Sequence, residues 1–285
     1  MSSRLSGKTA IVTGSSSGLG RAIATAYAEE GAQICCVDLY PTLRNQIDSK
    51  TGKADSFHNR STDGVPTHEY LKSTFGGNPI FVTANFTKAG DVEAAVAECV
   101  RQFGRLDIMV NNAGISVEST RPPLRIHETS EDDYDKTMAV NAKGIFLGCK
   151  YAIKQMLQQD PLPGCNGDKG WIVNTASVQG LVSYHCTPSY CASKGACVQL
   201  TRQVALDYGP DRIHCNCLCP GFLKTAMTQN LQNDPDLFRA TNAAHPFGGM
   251  GVPEDVARAA VFLASADAAW VTGVPLPVDG GFLTH

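Results

Sequence analysis

Thr9-Ala10-Ile11-Val12-Thr13-Gly14-Ser15-Ser16-Ser17-Gly18-Leu19-Gly20 stands near the start of a chain of 285 residues. Thr9–Thr13 is a short apolar run of strand character. From Gly18 to Glu30 the apolar positions Leu19, Ala22, Ile23, Ala26 and Tyr27 follow helical spacing, and Gly31 ends the pattern. Strand, glycine-rich turn and helix in that order make a phosphate cradle. The glycines reach positive φ and let the backbone approach a ligand closely. The helix N-terminus offers free N–H groups and a partial positive charge to a pyrophosphate. Gly14, Ser16, Ser17, Gly18, Leu19 and Gly20 are therefore candidate cofactor ligands. Glycines alone occur in any tight turn, so the context decides. The next strand, Gln33–Val37, is closed by Asp38, whose carboxylate can accept hydrogen bonds from both hydroxyls of an adenosine ribose. The plainer role for Asp38 is a turn residue or a helix cap.

The same alternation continues outward. Strand-like runs fall at Ile80–Ala84, Leu106–Val110, Trp171–Thr175, Ile213–Cys219 and Val274–Val278. Between most of them lie helical patterns, at Asp91–Phe103, Glu131–Gln158, Ser189–Tyr208 and Pro253–Ala264. Such alternation predicts an α/β fold, with a doubly wound, Rossmann-like parallel sheet between two helical layers. No repeat and no domain boundary interrupts it, so residues 1–285 are expected to form a single domain. One segment breaks the rhythm: Tyr40 to Pro79 is rich in Ser, Thr, Asn, Asp, Lys and Gly. Pro66–Phe75 within it has helical character. The rest is either a surface insertion or a cover over the adenine end of a cofactor.

Composition excludes several classes. The net charge is −3, without the concentrated basic charge that a nucleic-acid or anionic-membrane partner demands. No apolar run approaches the ~18 residues of a membrane span. The first eight residues carry no signal or transit pattern, and a cytoplasmic location is expected. Eleven cysteines are an odd number. Cys215, Cys217 and Cys219 alternate along one strand and so share a face, as small buried hydrophobes would. Cys35, Cys36 and Cys197 lie in similarly apolar runs. No zinc spacing occurs, so reduced thiols and no metal are expected.

Further motifs follow in order. Asn111-Asn112-Ala113-Gly114 comes after the fourth strand. Asn141 lies in Val140-Asn141-Ala142-Lys143-Gly144. Ser177 precedes Tyr190 by thirteen residues, in Tyr190-Cys191-Ala192-Ser193-Lys194. Pro220-Gly221 with Thr225 follows the sixth strand, and Val278-Asp279-Gly280-Gly281 the last. With the Thr13-Gly14-x-x-x-Gly18-x-Gly20 turn, the chain resembles the short-chain dehydrogenase/reductase family from about Gly7 to Phe282. The resemblance implies about seven parallel strands, a homotetramer or homodimer, and a nicotinamide cofactor. It further implies cofactor contacts from Asn85, Phe86, Asn112, Ala113, Gly114, Tyr190, Lys194, Pro220, Gly221, Leu223 and Thr225. Two departures stand out. Asn85 replaces the Asp that many members place against adenine, although an amide can still meet the adenine amino group. Gly249 stands where many members carry Arg.

The chemistry can also be read from the residues. Tyr190 and Lys194 are four apart on a predicted helix and share a face. A phenol is a poor base at neutral pH, and a nearby ammonium favours its phenolate. Tyr190 can then take a hydroxyl proton while hydride leaves the carbinol carbon, or return it in the reverse direction. Ser177 would bond the same substrate oxygen. The resemblance adds that Lys194 holds the nicotinamide ribose and Asn141 a water linked to it. Taken singly, each of these residues has an ordinary packing or capping role; taken together in order they point to Asn141, Ser177, Tyr190 and Lys194 as catalytic.

The expected reaction is oxidoreduction between a nicotinamide and a secondary alcohol or ketone, hydrophobic or aromatic, of a kind met in secondary metabolism. A non-redox isomerase, epimerase or cyclase on the same scaffold is the alternative, and a binding protein with a vestigial site is a third. Candidate substrate contacts are Ser177, Gln179, Tyr184, His185 and Met227, with Cys186, Leu223, Phe247 and His245 beside them. Asp38 favours NAD over NADP by repelling a 2′-phosphate. Arg44 and Arg21 keep NADP open, with Arg21 expected to face solvent.

Overall fold

The computed structural model describes residues 3–41 and 64–284. Seven strands form its sheet: β1 (Thr9–Thr13), β2 (Gln33–Asp38), β3 (Ile80–Thr83), β4 (Ile108–Asn111), β5 (Gly170–Thr175), β6 (Ile213–Pro220) and β7 (Pro275–Val278). All pair in parallel, in the order β3-β2-β1-β4-β5-β6-β7. The chain winds outward from β1 in one direction, then returns to place β4 on the other side. That reversal opens a crevice beyond the carboxyl ends of β1 and β4, where ligands of doubly wound sheets bind.

Every residue of β1, β5 and β6 is buried. Period-2 alternation sorts their side chains onto two faces. Ile11, Cys35, Met109, Ile172 and Cys215 pack on one face with α3 (Ala89–Phe103), α5 (Gly144–Met156) and α6 (Pro188–Tyr208). Val12, Cys36, Val110, Trp171 and Leu218 pack on the other with α1 (Gly18–Glu29) and α9 (Pro253–Leu263). Neighbouring Cys35 and Cys36 thus face opposite layers, while Cys215, Cys217 and Cys219 share one, as their alternation predicts. Each buried aliphatic side chain contributes about 1.5–3 kcal/mol, enough for the repeated pattern to fix the register against a one-residue slip. The edge strand β7 tolerates Pro275 and Pro277 because an edge has one side without ladder partners.

Two expectations need correction, and one stretch carries unexpected helices. The continuous helix over Glu131–Gln158 is instead α4 (Glu131–Met138), a π-helical turn (Ala139–Lys143) and α5. The π turn carries Asn141, whose side chain is bonded to another segment and holds the widened turn in place. Between β6 and α9 lie two helices that apolar spacing does not announce, α7 (Gln229–Asn233) and α8 (Pro235–Ala243). Arg21 is not at the surface. It is 1% exposed, bonds Val65 O at 2.9 Å and Thr67 Oγ1 at 3.0 Å, and lies over the Tyr70 ring. Its partners belong to or flank α2 (Thr67–Phe75), the helix expected over Pro66–Phe75. The remainder of the polar insertion, with Arg44, lies outside the described residues. Among the described residues no helix is long and apolar enough to cross a membrane.

Candidate active site

The glycine-rich turn is built by close approach. Gly14 has φ +65°, and a Cβ on Gly20 would run into the Gly14 carbonyl oxygen, so the turn can fold against the helix only with glycine there. Ser17 precedes α1 without a side-chain cap, which leaves the first-turn N–H groups available to an anion. The ends of β1 and β4 are clipped together beside this turn. Thr13 Oγ1 accepts from Asn112 N at 2.9 Å and Ala113 N at 3.0 Å, and Asn112 Nδ2 donates to Thr13 O at 3.0 Å. Asp38 receives Ser16 N–H on one carboxylate oxygen (3.1 Å) and its neighbour Leu39 N–H on the other (2.7 Å). Each oxygen keeps a lone pair for a further donor. Asn85 differs from what its type suggests. Its Oδ1 accepts from Thr87 N at 3.0 Å and from Thr87 Oγ1 at 2.8 Å, so both lone pairs are occupied. Nδ2 is what remains for a ligand, a donor suited to a ring nitrogen of adenine and not to its amino group.

The four residues singled out for catalysis come together from separate elements. Tyr190 and Lys194 lie one turn apart on α6, with Lys194 Nζ 5.5 Å from the Tyr190 ring centre. Lys194 is 3% exposed and donates to Thr175 O, at the end of β5, at 2.7 Å. Ser177 follows that strand, and its Oγ accepts from Gln179 N at 3.2 Å. Asn141 is fully buried. Its Oδ1 accepts from Ile115 N and its Nδ2 donates to Ile115 O, both at 2.8 Å, and Nδ2 also reaches Ser193 Oγ at 3.1 Å. A Cβ placed on Gly114 would lie 3.3 Å from Asn141 Oδ1 and 3.6 Å from Lys194 Nζ, so these groups converge behind the Gly114 backbone. Asn141 and Gly20 support the cavity wall from behind, and the other candidate residues except Phe247 and His245 line it.

That cavity measures about 1180 Å³. A pocket for one drug-sized ligand typically measures ~300–1,000 Å³, so this cavity is larger than one small molecule needs. Its walls include the glycine-rich turn, Asp38, Asn85, Phe86 and Asn112–Ile115. Ser177, Gln179, Tyr184, His185, Cys186, Tyr190 and Lys194 form another side, and Pro220–Thr228 close it, with Leu223, Thr225 and Met227 among them. Two expected neighbours lie elsewhere. Phe247 is 92% exposed, held outside by its N–H bond to Gly280 O. His245 is buried; Nδ1 lies 2.7 Å from Thr241 O and Nε2 accepts from Phe222 N at 3.2 Å. With both ring nitrogens engaged, His245 braces the turn after β6 and is not free for substrate. The wall also takes in Glu118 and Arg121, and Leu231 and Leu237 of α7 and α8, from stretches 115–121 and 222–245, where the family resemblance also puts the substrate pocket although no motif singles out these four. Their signal is tertiary: Arg121 pairs with Asp133 of α4, and Glu118 bonds segments about seventy residues away.

Known proteins share this architecture and sequence. A family model described as short chain dehydrogenase matches residues 8–65, and one described as Enoyl-(Acyl carrier protein) reductase matches residues 56–283. The 2-(R)-hydroxypropyl-CoM dehydrogenase of Xanthobacter autotrophicus is 38% identical over 275 residues, 96% of this chain and 98% of that protein. A 2,5-dichloro-2,5-cyclohexadiene-1,4-diol dehydrogenase of Sphingobium indicum is 36% identical, covering 98% of each chain. Among solved structures, a short-chain type dehydrogenase/reductase from Mycobacterium marinum superposes with a TM-score of 0.81 at 27% identity, covering 100% of this chain and 98% of that one.

Proposed function

This chain belongs to the short-chain dehydrogenase/reductase family, and from that premise we propose that it interconverts a secondary alcohol and its ketone with Tyr190 as the acid/base. The observation that carries the reading is the placement of Tyr190 and Ser177 on the cavity wall, with Lys194 anchored beside them on Thr175 O. A nicotinamide nucleotide, when bound, supplies the hydride acceptor or donor. The chain's residues do the rest. Ser177 Oγ takes its hydrogen bond from Gln179 N, which leaves its own proton to donate to the substrate oxygen. Tyr190 removes the hydroxyl proton or returns it. Lys194 spends one ammonium proton on Thr175 O, keeps two for the ribose and the phenol, and holds positive charge where a phenolate forms. Asn141 fixes the Ile115 backbone and Ser193, and so the spacing between the cofactor wall and α6.

The uncapped start of α1, the Gly14–Gly20 turn, and the Asn112–Gly114 wall would hold the pyrophosphate and nicotinamide, and Thr225 the carboxamide. NAD is the proposed cofactor in preference to NADP. Asp38 offers acceptors to two ribose hydroxyls and repels a phosphate, and Arg21, bound to α2, is withdrawn from the ribose. The substrate is proposed to be a small, largely apolar secondary alcohol. The apolar character is supported by the mixed, mostly apolar wall, and the secondary alcohol by relatives named as 2-(R)-hydroxypropyl-CoM and 2,5-dichloro-2,5-cyclohexadiene-1,4-diol dehydrogenases. A cytoplasmic homo-oligomer completes the proposal, and the exposed Trp270 and Leu206 supply apolar surface for a second copy. A panel of secondary alcohols and ketones followed by NADH absorbance tests the reading. Net cofactor turnover with at least one pair is expected. Product formation without net NADH change would overturn it in favour of isomerisation.

A further inference from the structure

We propose that Glu118 is a positioning residue for Tyr190, fastening the start of the catalytic helix to the loop that follows β4. The inference rests on the role given to Tyr190 above. An α-helix begins with N–H groups that no helical carbonyl can reach, and each must find a partner if buried. For α6 those of the first three helical positions can be traced. Pro188 occupies the first position and has no N–H to satisfy. The next two N–H groups, of Ser189 and of Tyr190 itself, both point to Glu118 Oε1, at 3.0 and 3.1 Å. Cys191 N then bonds Thr187 O at 2.9 Å, the first bond of the helix proper. Thr187, in the usual capping position, supplies no side-chain cap; its hydroxyl is engaged with Gln179 and Tyr184. A carboxylate from a distant loop has taken over the cap.

Two features tie this cap to the reacting groups. It grips the backbone of Tyr190, so a shift at Glu118 moves the phenol. It also springs from the loop whose Ile115 is bracketed by Asn141 and whose Gly114 lies against Lys194. Three residues on, Arg121 pairs with Asp133 of α4 and fixes the loop's far end. Glu118 is 8% exposed, and its charge faces the positive end of a 21-residue helix, where a carboxylate is stabilised. One oxygen makes both bonds, and Oε2 has no partner among the described residues. A glutamine side chain offers the same single acceptor, so the geometry predicts that Gln replaces Glu and Ala does not.

The full-length enzyme carrying Glu118→Ala or Glu118→Gln tests this with the best alcohol from the panel. In the Ala variant kcat is expected to fall about tenfold or more, because small displacements of a reacting group are costly. KM for the alcohol and the dissociation constant for NADH should stay within about threefold. The Gln variant should recover kcat to within about threefold of wild type. Amide exchange of the peptide containing Ser189 and Tyr190 should quicken in the Ala variant only. An Ala variant with wild-type kcat and exchange, or a Gln variant as impaired as Ala, would overturn the proposal. Should the Ala protein not fold, the Gln variant decides alone: near-wild-type kcat supports the cap, and a tenfold loss refutes it. The exchange measurement needs no turnover. A wild type that reduces no cofactor would defeat the oxidoreductase reading while leaving the cap to be judged by exchange.

Discussion

The floor of the cavity and its rim are built on different terms. Lys194 and Ser177, with Asn141 behind them, are between 0 and 8% exposed; Asn141 and Lys194 are bonded to distant segments, and Ser177 to the Gln179 N–H two residues on. They sit on or beside long elements, among them the 21-residue α6 and the fully buried β5. Tyr184, Met227 and Leu237 on the rim are 37, 38 and 47% exposed, on a loop, a single 3₁₀ turn and the nine-residue α8. Floor groups are oriented before anything binds, which is how a reacting constellation keeps its geometry. Rim side chains, already more than half buried, lose the rest of their exposure only against a ligand. One framework can therefore keep its chemistry while a changed rim admits other alcohols.

The sharpest way to break this contrast is at the floor. Tyr190→Phe should lower turnover by about 10³-fold or more, the scale of a lost general acid/base, with NADH affinity unchanged in a direct titration. Activity within tenfold of wild type would mean that the floor is not where protons move. Lys194→Ala should reduce both turnover and cofactor affinity, since Lys194 faces both. Next in size is Asp38→Ser. The wild type should favour NAD by about tenfold or more, the equivalent of ~1.4 kcal/mol. The variant should narrow that ratio of kcat/KM values; a wild type that prefers NADP would refute the role given to Asp38. The smallest effect belongs to the rim. Met227→Ala should raise KM for a bulky alcohol about three- to tenfold, as expected for one apolar contact, while kcat stays within about twofold. A kcat collapse there would erase the distinction between rim and floor.

The same contrast explains what could be read from sequence. Tyr190 and Lys194 share a helix face by spacing alone, and the strands announce themselves as short apolar runs between glycine stops. The π turn at Ala139–Lys143 does not, because the apolar periodicity runs straight through it and the partner of its Asn141 is the Ile115 backbone, 26 residues distant. Arg21 reads as a surface charge because its partners Val65 and Thr67 lie within the polar insertion, 44 and 46 residues on. Glu118 has no local signature, since the helix start it caps is 71 residues downstream. Helix α7 is Asn and Gln but for Leu231, and α8 has only nine residues, too few for its apolar positions to repeat along a face; their leucines turn to the cavity instead of the core. Local order was legible where one element carries the whole pattern and hidden where the partner is remote.

The sulfur-bearing layers of the sheet give the chain an internal clock. All eleven cysteines are free thiols; Cys165, Cys186 and Cys191 are partly accessible, and the other eight are buried. Burial pushes the Cys36 thiol up to about 12 and raises Cys197 as well, so these groups are kept from the reactive thiolate form. An alkylating reagent should therefore consume three thiols early and the remaining eight only as the strands separate. Because Cys35 and Cys36 face opposite layers, their labelling order reports which side of the sheet opens first. Cys186, on the cavity wall, would lose its early reactivity when a ligand covers it. Unfolding and occupancy can thus be timed on the native sequence, by mass, without introducing a probe.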